Sequence, residues 1–396
     1  MEQPEDPSAE ESVPERVVWQ EFNVPWRFPV VFTRNAFAPG NDALATALRS
    51  FGPVAVFPVA DSGVTEANGG LAEDVATYAA CHCDVLRLVS PLHVLPGGER
   101  CKNGPGQVEI LHRLFHRHQL CRHSVVLAIG GGAFLDVVGY AAATAHRGLR
   151  LVRLPTTTLA QSDAGIGVKN GYNAFGRKNW VGTFAPPFAV VNDFQFLHTL
   201  PLRQRRAGLA EAVKVAVIKD GDFFHLLSAK HRELALLEPG LLEETIIRCA
   251  MLHLQHVAAG DPFEKGSARP LDFGHWSGHA LEEASGGEIL HGEAVAMGMA
   301  LDCLYAAEKG LMTEEEGDAI LGLLRDLGFR LFHPLLAGLD LQAALDRFRQ
   351  HLGGGLSITL PVGIGCRTEL HQLDPEALHR ARRRLMSLPL KRRESS

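Results

Sequence analysis

Ser124-Val-Val-Leu-Ala-Ile-Gly-Gly-Gly-Ala-Phe-Leu-Asp136 is the stretch that decides how this chain folds. Its apolar, β-branched start has the length of a buried strand, and a helical pattern begins after Gly132. Between them, Gly130, Gly131 and Gly132 let the backbone turn sharply and approach an anion. The helix that follows offers unpaired N–H groups and the positive end of its dipole. A dinucleotide pyrophosphate is the natural guest of such a turn. The spacing is not G-x-G-x-x-G, so a bare tight turn competes with that reading. Upstream, Asp61 ends the run GPVAVFPVAD. A carboxylate there accepts hydrogen bonds from ribose hydroxyls or caps a helix, and position alone supports both.

Outward from this stretch, FPVVF, DVLRLVS and LRLVRLP are further short apolar runs separated by helical patterns. Alternation of this kind predicts parallel strands in a doubly wound α/β layer over residues 17–200. From Pro201 the character changes. RQRRAGLAEAVKVAVIKD, GLLEETIIRCAMLHLQHVAA and EAVAMGMALDCLYAAEKG carry apolar residues at three-to-four spacing, which predicts a mostly α-helical second domain over 201–386. Residues 1–16, with six carboxylates and one arginine, are expected to form an acidic tail, and 387–396 a basic one.

The 396 residues hold 39 Lys plus Arg against 45 Asp plus Glu, with 21% charged and 46% hydrophobic residues. That balance excludes a disordered chain and argues against a dedicated nucleic-acid binder. The seven cations between Arg380 and Arg393 are expected to form a solvated face. No apolar run is long enough for an ordinary membrane-spanning helix. Seven scattered cysteines point to a reducing, cytoplasmic compartment.

Two further regions carry chemistry. Leu154-Pro-Thr-Thr-Thr-Leu-Ala-Gln-Ser-Asp163 is followed by Gly165, Gly167, Lys169, Arg177, Lys178 and Asn179, and is expected to be a loop. Cations and amide donors at such density suit a phosphorylated substrate, because they replace the phosphate's water. In the helical half, Glu211 and Lys214 share a helix face. His275 and His279 lie four apart, and His291 opens another apolar helix. Two histidines and a glutamate can make a three-ligand catalytic zinc site, and spacing leaves open whether His279 or His291 is the second histidine. His112, His116, His118 and His123 alternate with arginines and are expected on an exposed helix face. Cys81-His82-Cys83 is too compact for one metal.

GGGAFLDVVGYAAATAHRG, LPTTTLAQSDAGIGVK, GRKNWVG, LPLRQRRAGLAEAVK and GHWSGHALE…LHGEAVAMGMALD, in this order over roughly residues 50–310, resemble the dehydroquinate synthase-like sugar phosphate cyclases. The resemblance implies an N-terminal NAD-binding α/β domain, a helical C-terminal domain, a catalytic zinc between them, with cobalt an acceptable substitute, and a homodimer. It assigns Glu211, His275 and His291 to the metal. Nucleotide contacts fall on Asp61, Glu99, Lys102, Gly131, Gly132, Asp136, Thr156, Thr157, Lys178 and Thr199. Substrate handling falls on Asp163, Lys169, Asn179, Lys214, Glu264 and His279, with Arg147 reaching the phosphate across the dimer interface. The implied reaction is transient oxidation of a seven-carbon sugar phosphate, phosphate elimination, re-reduction and aldol closure to a carbocycle, with no net redox change.

The chain departs from dehydroquinate synthase proper at several points. Asp272 stands where that enzyme has Asn, Ala268 where it has Arg with Arg269 adjacent, Leu254 at the position of an active-site lysine, and His351 where a lysine is expected. Losing cations and gaining a carboxylate disfavours a carboxylated substrate by on the order of 4 kcal/mol for one pair ~4 Å apart at an effective dielectric of ~20. A neutral ketose phosphate such as sedoheptulose 7-phosphate is therefore expected. Asp272 and the FRQHLGG segment are similar to the epi-valiolone synthase branch, whereas His279 together with Trp276 sets the chain apart from it. Three other expectations compete: 3-dehydroquinate synthase proper, an NAD- and metal-dependent alcohol or glycerol dehydrogenase, and a non-catalytic binding protein.

Overall fold

The computed structural model describes residues 16–49, 52–259, 261–264 and 271–388. Residues 1–15 and 389–396, Ala268, Arg269 and the side chain of His351 lie outside the described residues.

Seven strands form one parallel sheet. They are β1 (Val30–Thr33), β2 (Val54–Asp61), β3 (Leu86–Leu88), β4 (His93–Leu95), β5 (Val125–Gly130), β6 (Arg150–Pro155) and β9 (Ala189–Asp193). Their order is β1-β9-β6-β5-β2-β3, with β4 also on β2. Strand β5 is buried along its whole length. Val125, Leu127 and Ile129 pack into one apolar cluster and Val126 and Ala128 into another, so helices cover both faces. Chain order reverses between β2 and β5, and ligands of open α/β sheets bind at the carboxyl ends of strands at such a switch point. The register Ala60↔Ile129 and Gly130↔Pro155 brings Asp61, Gly130 and Thr156 to that edge.

The polar stretch expected as a loop is built differently. After one turn closed by an i→i+5 bond, Gly165 N to Ala160 O at 2.8 Å, it forms an antiparallel hairpin of β7 (Lys169–Ala174) and β8 (Arg177–Phe184). Strand β8 is largely exposed, which gives the sequence no hydrophobic period to read. Arg153, fully buried in β6, ties the hairpin down. Its guanidinium donates to the carbonyls of Gly165, Gly167 and Lys169 and to Oδ1 of Asn170, at 2.6–3.2 Å.

Among the described residues, the second half is helical apart from a small hairpin, β10 (Ile358–Pro361) with β11 (Arg367–Leu370). Helix His291–Glu308 is buried nearly all round, as its even apolar content dictates. It lies close against helix His275–Ala284. A Cβ on Gly298 would stand 2.0 Å from the carbonyl oxygen of Gly274, and Gly274 itself has φ +78°. Glycine at both positions lets the two histidine-bearing helices approach.

The histidine stretch before β5 is less exposed than expected. His116 is exposed, but Nε2 of His112 bonds to Ala141 O and Thr144 Oγ1, and His118 packs against the rings of Phe57 and His93. All seven cysteines are unpaired. Among the described residues, no helix is long and apolar enough to cross a membrane.

Candidate active site

At the sheet edge, Asp61 Oδ1 accepts from Gly63 N at 2.8 Å and caps the short helix Ser62–Ala67. Burial raises its pKa, partly offset by backbone donors from Gly63, Gly98 and Val64. Gly97 passes so close that a Cβ there would fall within 2.0 Å of the carboxylate oxygens. Gly131 precedes helix Gly132–Thr144, which begins without a side-chain cap. Beside it, Thr156 is buried with Oγ1 unpartnered among the protein's own groups, and the Thr157 methyl would stand 3.2 Å from a Cβ on Gly131. This cradle of backbone N–H groups, a buried hydroxyl and a carboxylate fits a dinucleotide.

A charged network flanks the cradle. Buried Lys102 donates to Asp136 Oδ2 at 2.7 Å and to Asn179 Oδ1 at 2.5 Å. Asp136 sits early in the helix after the glycine turn, so Lys102 fixes that helix to the hairpin. Lys178 lies 3.3 Å from Glu99 and also donates to Glu282 of the helical half. Thr199 stands further along the edge and donates to Asn68 Oδ1 and Phe196 O.

His275, His279 and His291 converge, with one ring nitrogen from each lying within 4.8 Å of the others. Burial, with the nearby charges of Lys214, His279 and His291, pushes the His275 pKa well down, which favours the neutral imidazole that binds metals. Glu211 belongs to a neighbouring group with Asp163 and His253. Its Oε1 accepts from Lys214 Nζ at 2.6 Å and from His253 Nε2 at 2.7 Å. Imidazoles and a carboxylate of this kind fit a zinc or cobalt ion.

Next to these groups, Lys169 Nζ lies 2.5 Å from Glu264 Oε1. Desolvation opposes its charge, but Asp272, Glu264 and Asp163 outweigh it and raise the Lys169 pKa. Lys214, buried, is likewise raised by Glu211, Asp163 and Asp272 against the cost of burial. Arg147 lies elsewhere on the surface of its short helix. It is exposed with φ +64°, past the far end of helix Gly132–Thr144, about 20 Å from the glycine turn at 1.5 Å per residue.

Two residues escaped the sequence reading. Helix Pro239–Ala258 buries Leu242, Ile246, Cys249 and His253 on one stripe. Leu254, the next residue, turns off this stripe and packs, with Phe28, Val30 and Phe32, against the cluster of Ile166, Val190 and Ala250. One residue along a helix rotates a side chain by about 100°. The continuation of the apolar stripe into His253 was the available signal. Glu282 is the second, three residues beyond His279 on the same face. Burial opposes its ionisation, but the hydrogen bond from His291 and the Lys178 ammonium hold it far below the usual carboxylate range.

Known proteins resemble this chain in sequence and fold. Residues 92–207 match the model for the 3-dehydroquinate synthase N-terminal domain, and residues 208–351 match that for the C-terminal domain. A 2-epi-5-epi-valiolone synthase of Streptomyces glaucescens is 36% identical over 72% of this chain and 73% of its own length. The solved structure of a 2-epi-5-epi-valiolone synthase from Streptomyces hygroscopicus subsp. jinggangensis 5008, with NAD+ and Zn2+ bound, superposes with a TM-score of 0.84 at 32% identity, covering 93% of this chain and 99% of that one. A 2-deoxy-scyllo-inosose synthase complexed with carbaglucose-6-phosphate, NAD+ and Co2+ gives a TM-score of 0.72 at 26% identity, over 90% and 96% of the two chains. With both domain models matched in succession, the chain belongs to the 3-dehydroquinate synthase family.

Proposed function

We propose that the protein is a sugar phosphate cyclase acting on a seven-carbon ketose phosphate without a carboxylate, such as sedoheptulose 7-phosphate. The observation that carries this reading is the gathering of Lys169 and Lys214 with Asp163 and Asp272 next to the histidine group. Cations placed there suit a leaving phosphate, and the carboxylate of Asp272 opposes a substrate carboxylate.

In this reading Asp61, Thr156 and the backbone of Gly131 and Gly132 hold the dinucleotide, with Glu99, Lys102, Asp136, Thr157, Lys178 and Thr199 around it. Glu211, His275 and His291 hold the metal. When bound, NAD+ supplies a reversible hydride acceptor and zinc lowers the pKa of a substrate hydroxyl. The protein's own part is electrostatic. Lys169 and Asn179, with His279 and Arg147 of a second copy, stabilise charge accumulating on the departing phosphate. Asp163, Lys214 and Glu264 fix the sugar hydroxyls and the Lys169 ammonium. His351 and Asp272 set selectivity for the neutral end of the sugar. The exposed Arg147, past the C-terminal end of helix Gly132–Thr144, supports a homodimer as the working unit, and unpaired cysteines support a cytoplasmic setting.

The match to the 3-dehydroquinate synthase domain models, together with His279, favours one second reading, 3-dehydroquinate synthase itself. A dehydrogenase has no use for Lys169, Asn179 and Arg147 around a phosphate. Incubation of the zinc- and NAD+-loaded protein with sedoheptulose 7-phosphate should release one phosphate per carbocycle formed, without net NADH. NADH accumulating with a polyol substrate, and no phosphate release, would establish the dehydrogenase instead.

A further inference from the structure

Glu282 lies on the face of helix His275–Ala284 that carries His275 and His279, and its side chain is only 7% exposed. Both of its oxygens are engaged. Oε2 accepts from Nδ1 of His291 at 3.0 Å, and Oε1 accepts from the ammonium of Lys178. Because a carboxylate can only accept, Nδ1 of His291 carries the hydrogen and Nε2 keeps its lone pair for an ion. Lys178 stands on β8, in the other half of the chain, and shares its charge with Glu99 at 3.3 Å. Glu99 opens the short turn Glu99–Lys102, whose lysine grips Asp136 behind the glycine turn. A continuous set of charged contacts thus runs from the dinucleotide cradle to one imidazole of the histidine group.

We propose that Glu282 is a positioning residue that joins the two halves of the site, orienting His291 for metal while holding Lys178 of the nucleotide half, so that metal and dinucleotide bind with linked affinities. This rests on the reading that the two halves bind NAD+ and a metal. The physical reason is a shared ordering cost. A dinucleotide seated against Glu99 and Lys102 fixes β8, and with it Lys178, Glu282 and the ring of His291. A metal ion on His291 fixes the same groups from the other side. Whichever binds first makes the second binding easier, and by thermodynamic necessity the factor is the same in both directions.

The test titrates zinc into the full-length protein against a chromophoric chelator, with and without saturating NAD+, and titrates NAD+ with and without zinc. In the wild type NAD+ should tighten zinc by at least ~5-fold, and zinc should tighten NAD+ by the same factor. Glu282→Gln should weaken zinc by ~10–100-fold, as expected for loss of the carboxylate behind a ligating histidine. NAD+ affinity without zinc should then stay within about 2-fold while the linkage factor falls to about one. Lys178→Met serves as the second variant if Glu282→Gln does not fold. It should keep zinc affinity without NAD+ within a few-fold, because Glu282 still holds His291, and should also lose the linkage. Independent binding of zinc and NAD+ in the wild type overturns the proposal, as does a Glu282→Gln protein that keeps both zinc affinity and linkage. A wild type that binds neither overturns the functional reading and the coupling together.

Discussion

Nε2 of His253 and Nζ of Lys214 both point at one atom, Oε1 of Glu211, from 2.7 and 2.6 Å. All three side chains are buried. Burial opposes the charge on Glu211, and the lysine and histidine overcome it, holding the carboxyl below its ordinary range. Glu211 is therefore held as an anion between His253 and Lys214. Glu211→Ala is expected to lose the bound zinc, falling from one ion per chain to near none by elemental analysis after dialysis. His279→Ala should keep it. The opposite pattern would move the third ligand to His279, whose ring nitrogen already lies within 4.8 Å of those of His275 and His291.

Asp302 provides a pH test. It is fully buried, accepting from Trp276 Nε1 at 2.8 Å and Gly274 N at 2.9 Å, and so braces both neighbours of His275. Burial raises its pKa from 3.8 to about 7, against the opposing effect of those two hydrogen bonds. The folded state thus holds the proton more tightly than the unfolded chain does. The stabilisation is complete below about pH 4 and is lost as pH rises through about 7. At about 1.4 kcal/mol per unit this amounts to about 4 kcal/mol. Asp302→Asn stays neutral, so its stability relative to wild type should rise by that order between pH 4 and 8 in urea unfolding. Parallel pH profiles for the two proteins would contradict this.

Arg153 tests how the phosphate-handling hairpin is held. Burial pulls its pKa down to about 10, with Asp136 pulling the other way, so it stays charged at neutral pH. Arg153→Met leaves three carbonyls and the Asn170 amide oxygen without their donor, at ~1–3 kcal/mol for a buried unpaired group. A net loss of about 3–5 kcal/mol is expected in denaturant unfolding, with faster proteolysis within residues 165–184. Arg153→Lys should not rescue it, because one ammonium cannot span four acceptors. A lysine variant as stable as wild type would refute the role.

What the sequence made legible follows from where periodicity and side-chain chemistry agree. Gly130 to Gly132 sit between an apolar run and a helical one, and the strand, turn and helix formed as expected. His275, His279 and His291 were found from residue type and spacing, and the fold brings all three together. The β7–β8 hairpin was missed because strand β8 is largely exposed and shows no apolar alternation. His253 was missed because a lone histidine on a buried helix stripe reads as a packed core residue, and Glu282 because an acid in ALEEAS looks like a solvated helix face. Their roles come from partners more than 40 residues away for His253 and more than 100 away for Glu282 with Lys178, contacts that local spacing does not encode.

Selectivity should turn on Asp272. Its charge acts on both Lys169 and Lys214. Asp272→Asn is expected to leave turnover of the neutral ketose phosphate no better than wild type while raising kcat/KM for a heptulosonate phosphate by ~10-fold or more. Unchanged relative rates would remove Asp272 from the selectivity account.

The most direct measurement is phosphate release by the zinc- and NAD+-loaded protein from sedoheptulose 7-phosphate and from a heptulosonate phosphate, side by side, with product mass determined for each. The expected result is a carbocycle from the neutral ketose, with kcat/KM at least ~100-fold above that for the carboxylated sugar, in keeping with one unfavourable charge pair. A preference for the heptulosonate, yielding a carboxylated ring, would contradict it and make the protein a 3-dehydroquinate synthase.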